Sequence, residues 1–228
     1  MSAKSWPETS EELEQEQLDL AAITPIPWRP AGAGLSVAGC FVCFPKGKVG
    51  VDEPGDLGWA AAVLIQNLAL AAVAVTHGLA PAGYAPGFLA LREGPLLEAA
   101  VRSLPLVPEV LLVDATGRDH PRRAGLALHL GARLDVPSIG VTDRPLLASG
   151  AWPPDEPGAI SPLHIEDELV GYWVRTKRGV RPLAVHAGWR TDPETAVSVV
   201  LSVTSKSRTS SRSVKRAASH GKLGQESC

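Results

Sequence analysis

The run Val110-Leu-Leu-Val-Asp-Ala-Thr-Gly-Arg-Asp-His-Pro-Arg-Arg-Ala-Gly-Leu-Ala-Leu-His-Leu-Gly131 decides the fold. Its first four residues are apolar and read as a buried strand that delivers Asp114 at its carboxyl end. A Gly-containing turn follows, then His120-Pro121-Arg122-Arg123, then an apolar helix from about Gly125 to Leu134. Strand, carboxylate, tight turn and cationic loop before a helix are how an α/β protein presents a metal-binding acid beside phosphate-binding groups. An ordinary strand-to-helix turn with a solvated Arg pair would read the same way, and this segment by itself does not choose between them.

Outward from this run the chain alternates strands and helices. Strands are expected at about 35–44, 59–66 and 69–77, forming an antiparallel meander. A helical region over about 87–104 should be interrupted near Gly94-Pro95, because proline disfavours helix in the residue before it. Strand 109–114, helix 125–134 and strand 137–141 make an α/β unit. Ala148 to Asp167, with four prolines before Leu163, reads as a loop. Strands near 169–177 and 182–186 follow, and a last helix starts at Asp192-Pro193-Glu194, where Asp suits the N-cap and Pro the first turn. The organisation expected is an acidic N-terminal helix and linker over 1–34, one α/β domain over 35–205, and a basic, Ser-rich, disordered tail over 206–228.

At 228 residues and 45% hydrophobic, the chain can bury one sizeable core. A net charge of -2 gives no global attraction to nucleic acid, so any such binding must use local patches. The charge is polarised: Glu8, Glu11, Glu12, Glu14, Glu16 and Asp19 crowd one end, and Lys206, Arg208, Arg212, Lys215, Arg216 and Lys222 the other. Without an apolar run of membrane-spanning length or a secretory leader, no membrane partner and a cytoplasmic location are expected. Cys40 and Cys43 have CxxC spacing, but on a strand they point to opposite faces, which argues for apolar fillers.

Three further segments give the central run its context: Tyr84-Ala-Pro-Gly-Phe-Leu-Ala-Leu-Arg-Glu93, Asp135-Val-Pro-Ser-Ile-Gly-Val141 and Pro182-Leu-Ala-Val-His-Ala-Gly-Trp-Arg190. In this order and spacing, over about residues 36 to 200, the chain resembles endonuclease V, the nuclease of deaminated bases. The resemblance implies an α/β, RNase H-like fold with a mixed central sheet flanked by helices. It implies a monomer that cleaves DNA or RNA containing inosine, one nucleotide beyond the lesion on its 3′ side, with Mg²⁺ or Mn²⁺. Glu93 and Asp114 would hold the metal, and His120 would assist at the phosphate. Tyr84 would wedge the strand, and Gly87, Leu89, Gly117, Gly125 and Leu126 would surround the base. Arg122 and Arg123 would hold phosphates. His129 also fits the family pattern, as either a core or a site residue.

The departures carry equal weight. Phe41 stands where the family's first strand has its metal-binding Asp. Asp143 replaces a Lys after the Ile-Gly-Val strand, Trp189 replaces a His late in the chain, and Ala115 replaces a Gly. Phosphodiester hydrolysis with a divalent metal needs hard oxygen ligands, usually two or more carboxylates, and Phe41 offers none. Metal binding should therefore be weakened unless Asp143, just past the neighbouring strand, joins Glu93 and Asp114 as a third ligand. Two classes of function follow: an impaired endonuclease, or a catalytically inactive nucleic-acid-binding or protein-interaction module. A re-purposed enzyme is a third.

Overall fold

The computed structural model describes residues 5–32, 34–45 and 53–205, so the basic tail lies outside the described residues. Eight strands form one mixed sheet in the order β3-β2-β1-β4-β5-β8-β7-β6. They are β1 (Ser36–Cys43), β2 (Leu57–Gln66), β3 (Ala69–Leu79), β4 (Val110–Val113), β5 (Ser138–Thr142), β6 (Ile160–Ile165), β7 (Glu168–Val174) and β8 (Leu183–Ala187). The first three form the antiparallel meander that alternating apolar residues and a short turn predict. β1, β4 and β5 run parallel to one another, and β8 returns antiparallel to β5. Among the described residues four helices flank the sheet: α1 (Ser10–Ala22), α2 (Leu89–Arg102), α3 (Leu126–Leu134) and α4 (Pro193–Ser205).

Period-two alternation sends side chains to two cores. Ala38, Cys40 and Val42 of β1 join Leu111 and Val113 of β4 against α2 and α3. Val37 of β1, with Val110 and Leu112 of β4, packs on the other face against Ala196, Val199 and Val200 of α4. Helix α1 is acidic on its outer side, yet Leu13 is fully buried in the first core and Thr9 caps the helix through its side chain. The helix ahead of the linker therefore belongs to the same folded body.

Two expectations are corrected. Helix α2 runs unbroken through Pro95. Burial of Leu91, Leu96 and Leu97 supplies what the missing backbone hydrogen bond removes. Gly94 is there because a Cβ would sit 2.4 Å from the Trp6 ring. The segment read as a loop over 148–167 contains β6, whose prolines hide it. Pro162 is tolerated because β6 is the edge strand of the sheet, paired along its length with β7 and met on its other side by a single bridge from Ser149 to His164. No helix of the described residues is long and apolar enough to cross a membrane. Leu13→Ala should cost about 2–4 kcal/mol in urea unfolding, as a buried cavity does; an unchanged midpoint would mean that α1 is dispensable to the core.

Candidate active site at the carboxyl ends of the central strands

The parallel register pairs Val37 with Val110 and Cys40 with Val113. One step further, Phe41 lies beside Asp114, whose N–H donates to the Cys40 carbonyl at 3.3 Å. The position next to Asp114 on β1 is thus held by an aromatic ring. Glu93, on the second turn of α2, completes the acidic group. Burial pushes its carboxyl up to about 8, the Asp114 charge pushes it further the same way, and Arg92 opposes both. Burial likewise pushes the Cys40 thiol up to about 12, again with help from Asp114. Asp114 is therefore the charge on which its neighbours respond.

Phe41, Leu112, Val141, Leu183, Val200 and Val203 line a small apolar cavity of about 50 Å³, with Asp114 and Asp143 also on its wall. Asp143 thus shares a cavity with Asp114, as its place just past β5 predicts. A divalent cation asks for several oxygens at once. Here two carboxylates converge, Phe41 supplies no donor, and among the described residues no three His, Cys, Asp or Glu side chains group closely enough to hold a metal ion. The donor set falls short of a divalent centre.

The second half of the site joins the Tyr84 turn to the His120-Pro-Arg-Arg turn. Tyr84 is 54% exposed at the mouth of its loop. Gly87 has φ 81°, a left-handed conformation that favours glycine, and a Cβ there would meet Arg122 at 3.4 Å and His120 at 3.9 Å. The Gly87 carbonyl accepts from Arg122 Nη2 at 2.8 Å and pairs with His120 Nε2 at 3.2 Å. The Arg122 N–H donates to His120 Nδ1, so both ring nitrogens of His120 are engaged by backbone. Burial, reinforced by Arg122, lowers the ring to about 4, which keeps it neutral. In this arrangement His120 latches two loops together.

Arg122 is equally occupied. It bonds Gln17 at 2.6 Å and Glu14 at 2.9 Å on α1, and covers the Phe88 ring at 4.5 Å. Arg123, at φ 55°, pairs with Glu168 at 3.1 Å and keeps a buried Nη1 without a hydrogen-bond partner. Gly117 and Gly125 are dictated by packing: a Cβ would fall 2.0 Å from the Ala187 carbonyl and 2.4 Å from the Thr116 carbonyl. Leu126 is buried in the first core and Leu89 packs against it. His129 stacks on Trp6 at 4.9 Å and pairs with Glu16 at 3.2 Å, which makes it a core residue tying α1 to α3.

Trp189 lies elsewhere. Its N–H donates to Ser138 Oγ, its carbonyl accepts from the Ser138 N–H, and its indole approaches Asp135 at 3.5 Å. That places it at the start of β5, the opposite end of the sheet from Asp114, because β8 runs antiparallel to β5. Sequence reading missed Asp119, which is fully buried and accepts from the N–H groups of Leu146, Leu147 and Ala148. It faces His186 Nδ1 at 3.6 Å, and His186 Nε2 meets Thr142 Oγ1 at 3.0 Å. The only advance signal was a carboxylate inside a motif otherwise assigned to chemistry. Asp119 fixes the loop that leaves β5, and with it the setting of Asp143.

Glu93 gives a pH signature. Its folded-state value of about 8 lies above the ordinary 4.5, so the folded protein holds this proton more tightly and loses stability as pH rises between those values. Glu93→Gln removes that loss. Its melting temperature in chelator should gain on the unsubstituted protein between about pH 5 and about pH 9; a pH-independent difference would contradict the raised Glu93 carboxyl.

A sequence model of the family Endonuclease V matches residues 36–217. An Endonuclease V of Roseiflexus is 39% identical over 180 residues, covering 76% of this chain and 81% of the relative. The crystal structure of Endonuclease V from Streptomyces avermitilis superposes with a TM-score of 0.79 at 34% identity, covering 96% of this chain and 97% of that one. Endonuclease V of Ciona intestinalis, in complex with a 24mer DNA containing an inosine followed by a ribo-adenosine, superposes with a TM-score of 0.72 at 21% identity, covering 96% and 100%. The mixed sheet flanked by helices is the RNase H-like fold that these proteins share, and the chain belongs to the endonuclease V family.

Proposed function

We propose that this protein recognises nucleic acid containing deaminated purine, chiefly hypoxanthine, and that its metal-dependent cleavage of the phosphodiester is lost or strongly weakened. The observation that carries the reading is the position of Phe41. It stands beside Asp114 in the strand register, where a carboxylate would complete the metal site. The recognition half is built differently: Tyr84 is exposed, and Gly87, His120 and Arg122 hold the two loops together. An exposed aromatic at a rigid loop can stack in place of an extruded base, and glycines let backbone approach that base closely. The Ciona relative, bound to inosine-containing DNA, supports hypoxanthine as the base.

Glu93 and Asp114 would still attract Mg²⁺ or Mn²⁺, with lower affinity than a three-carboxylate site gives. His120 enters as a loop latch, with both ring nitrogens already committed. Arg122 is clamped by Glu14 and Gln17, and Arg123 pairs with Glu168, so either would exchange a protein partner for a phosphate. One observation favours a second reading, an active nuclease: Asp143 lies on the same cavity wall as Asp114 and could act as the third ligand.

Labelled single- and double-stranded oligonucleotides, with inosine or with adenosine at one position, separate these readings in Mg²⁺, Mn²⁺ and chelator. Inosine-selective binding that survives chelator, without product, is the expected result, and Tyr84→Ala should weaken it about tenfold. Product formed in Mg²⁺ and abolished by both Asp114→Ala and Asp143→Ala would overturn the proposal in favour of a rebuilt site.

A further inference from the structure

On the same end of the sheet as Asp114 and Asp143, the chain carries a second aromatic and cationic surface. β8 begins there: Leu183 pairs with Val174, Ala184 pairs with Thr142, and Leu183 lines the cavity that Asp114 and Asp143 share. The β7–β8 connection therefore projects from that edge, and it reads Arg175-Thr-Lys-Arg-Gly-Val-Arg181. Against it stands Trp152, an indole left 56% exposed. The Arg175 and Arg181 guanidinium groups lie over its ring at 5.9 Å and 5.6 Å from the centroid.

This exposed indole is rigidly mounted. Trp173 meets it edge-on at 6.2 Å, and the Trp173 indole N–H donates to the Gly150 carbonyl at 3.1 Å. Arg175, itself buried, donates to the carbonyls of Pro153, Pro154 and Val180. Asp155 accepts from the Gly179 N–H at 2.9 Å and closes the loop. Arg175 is thus spent on holding the surface together. Arg181, Lys177 and Arg178 are exposed, and among the described residues their side chains make no hydrogen bond or ion pair. Asp155 and Glu156 are the acids close by in the chain, and Asp155 is already paired with Arg175.

We propose that Trp152, with Arg181, Arg178 and Lys177, is a stacking and phosphate-binding platform for an unpaired stretch of the nucleic acid whose lesion sits at the Tyr84 turn. It rests on the nucleic-acid reading above. An exposed indole offers any base a π face, and flexible cations beside it follow the backbone without reading sequence. The platform gives a chain of net charge -2 a local source of affinity that its overall charge does not provide. It adds hold on the strand without adding selectivity for inosine.

The test is fluorescence anisotropy of the full chain with a labelled single-stranded oligonucleotide lacking inosine, in chelator, over a salt series. Trp152→Ala should weaken binding about tenfold, and Trp152→Phe should retain most of it. Arg181→Ala should weaken binding and flatten the salt dependence by about one phosphate contact. Trp152→Leu keeps an apolar cover on Trp173; the same loss there, with an unchanged melting temperature, assigns the effect to stacking. Wild-type affinity and salt slope in both Trp152→Ala and Arg181→Ala would overturn the proposal. A matched inosine strand distinguishes the two claims: loss of inosine preference with Trp152-dependent binding intact refutes lesion recognition and leaves the platform standing. The reverse result refutes the platform alone.

Discussion

The parallel pairing of β1 with β4 constrains everything at the carboxyl end of this sheet. Because side chains alternate faces with a period of two, the register that seats Cys40 beside Val113 obliges residue 41 to sit beside Asp114. A slip of one residue would send Cys40 to the far face and break both cores, so residue 41 cannot avoid the site. Its chemistry then decides what the site can do. A carboxylate there would share a cation with Asp114. A phenyl ring instead extends the apolar wall formed by Leu112, Val141 and α4, while burial first, and the Asp114 charge second, push the Glu93 carboxyl up.

The motif that looks most chemical is used largely as architecture. His120 spends both nitrogens on backbone, Arg122 is gripped by α1, and Asp119 gathers three N–H groups in the dry interior. These contacts fix the Tyr84 turn, the His120 turn and the loop after β5 relative to one another. Such a frame is what recognition of an extruded base requires, since a site for one base depends on loops that do not drift. On the function proposed here, recognition and hydrolysis would rest on separate parts of the site: the loops for the first, and the strand ends for the second. A substitution at residue 41 can remove one and spare the other.

Much of this was legible in the sequence. The apolar runs of β1, β4 and β5, the glycine turn after Asp114 and the Asp192-Pro193 helix start each follow from local patterning, and each appears where that patterning puts it. The pairing of Glu93 with Asp114 as metal ligands came from family resemblance; the Glu93 carboxyl is pushed up first by burial and then by the Asp114 charge. What escaped was non-local. Pro95 signals a helix break only if the burial of Leu91, Leu96 and Leu97 is ignored. Pro162 disguises a strand unless it is known to lie at a sheet edge. Trp189 reads equally well as a cleft or a core residue until the antiparallel return of β8 carries it to the other end of β5. The joint use of Glu14 and Gln17 by Arg122 joins positions 108 and 105 residues apart, which no local pattern encodes.

The central claim is that one side chain, Phe41, withholds the divalent site. Mn²⁺ binding, followed by electron paramagnetic resonance on the full chain and on Phe41→Asp, tests it without reference to turnover. The account predicts weak, non-saturating binding to the unsubstituted protein. Phe41→Asp should gain a saturable site that Asp114→Ala removes. Equally tight binding to both proteins, abolished by Asp143→Ala, would contradict it and show that the site has been rebuilt on β5.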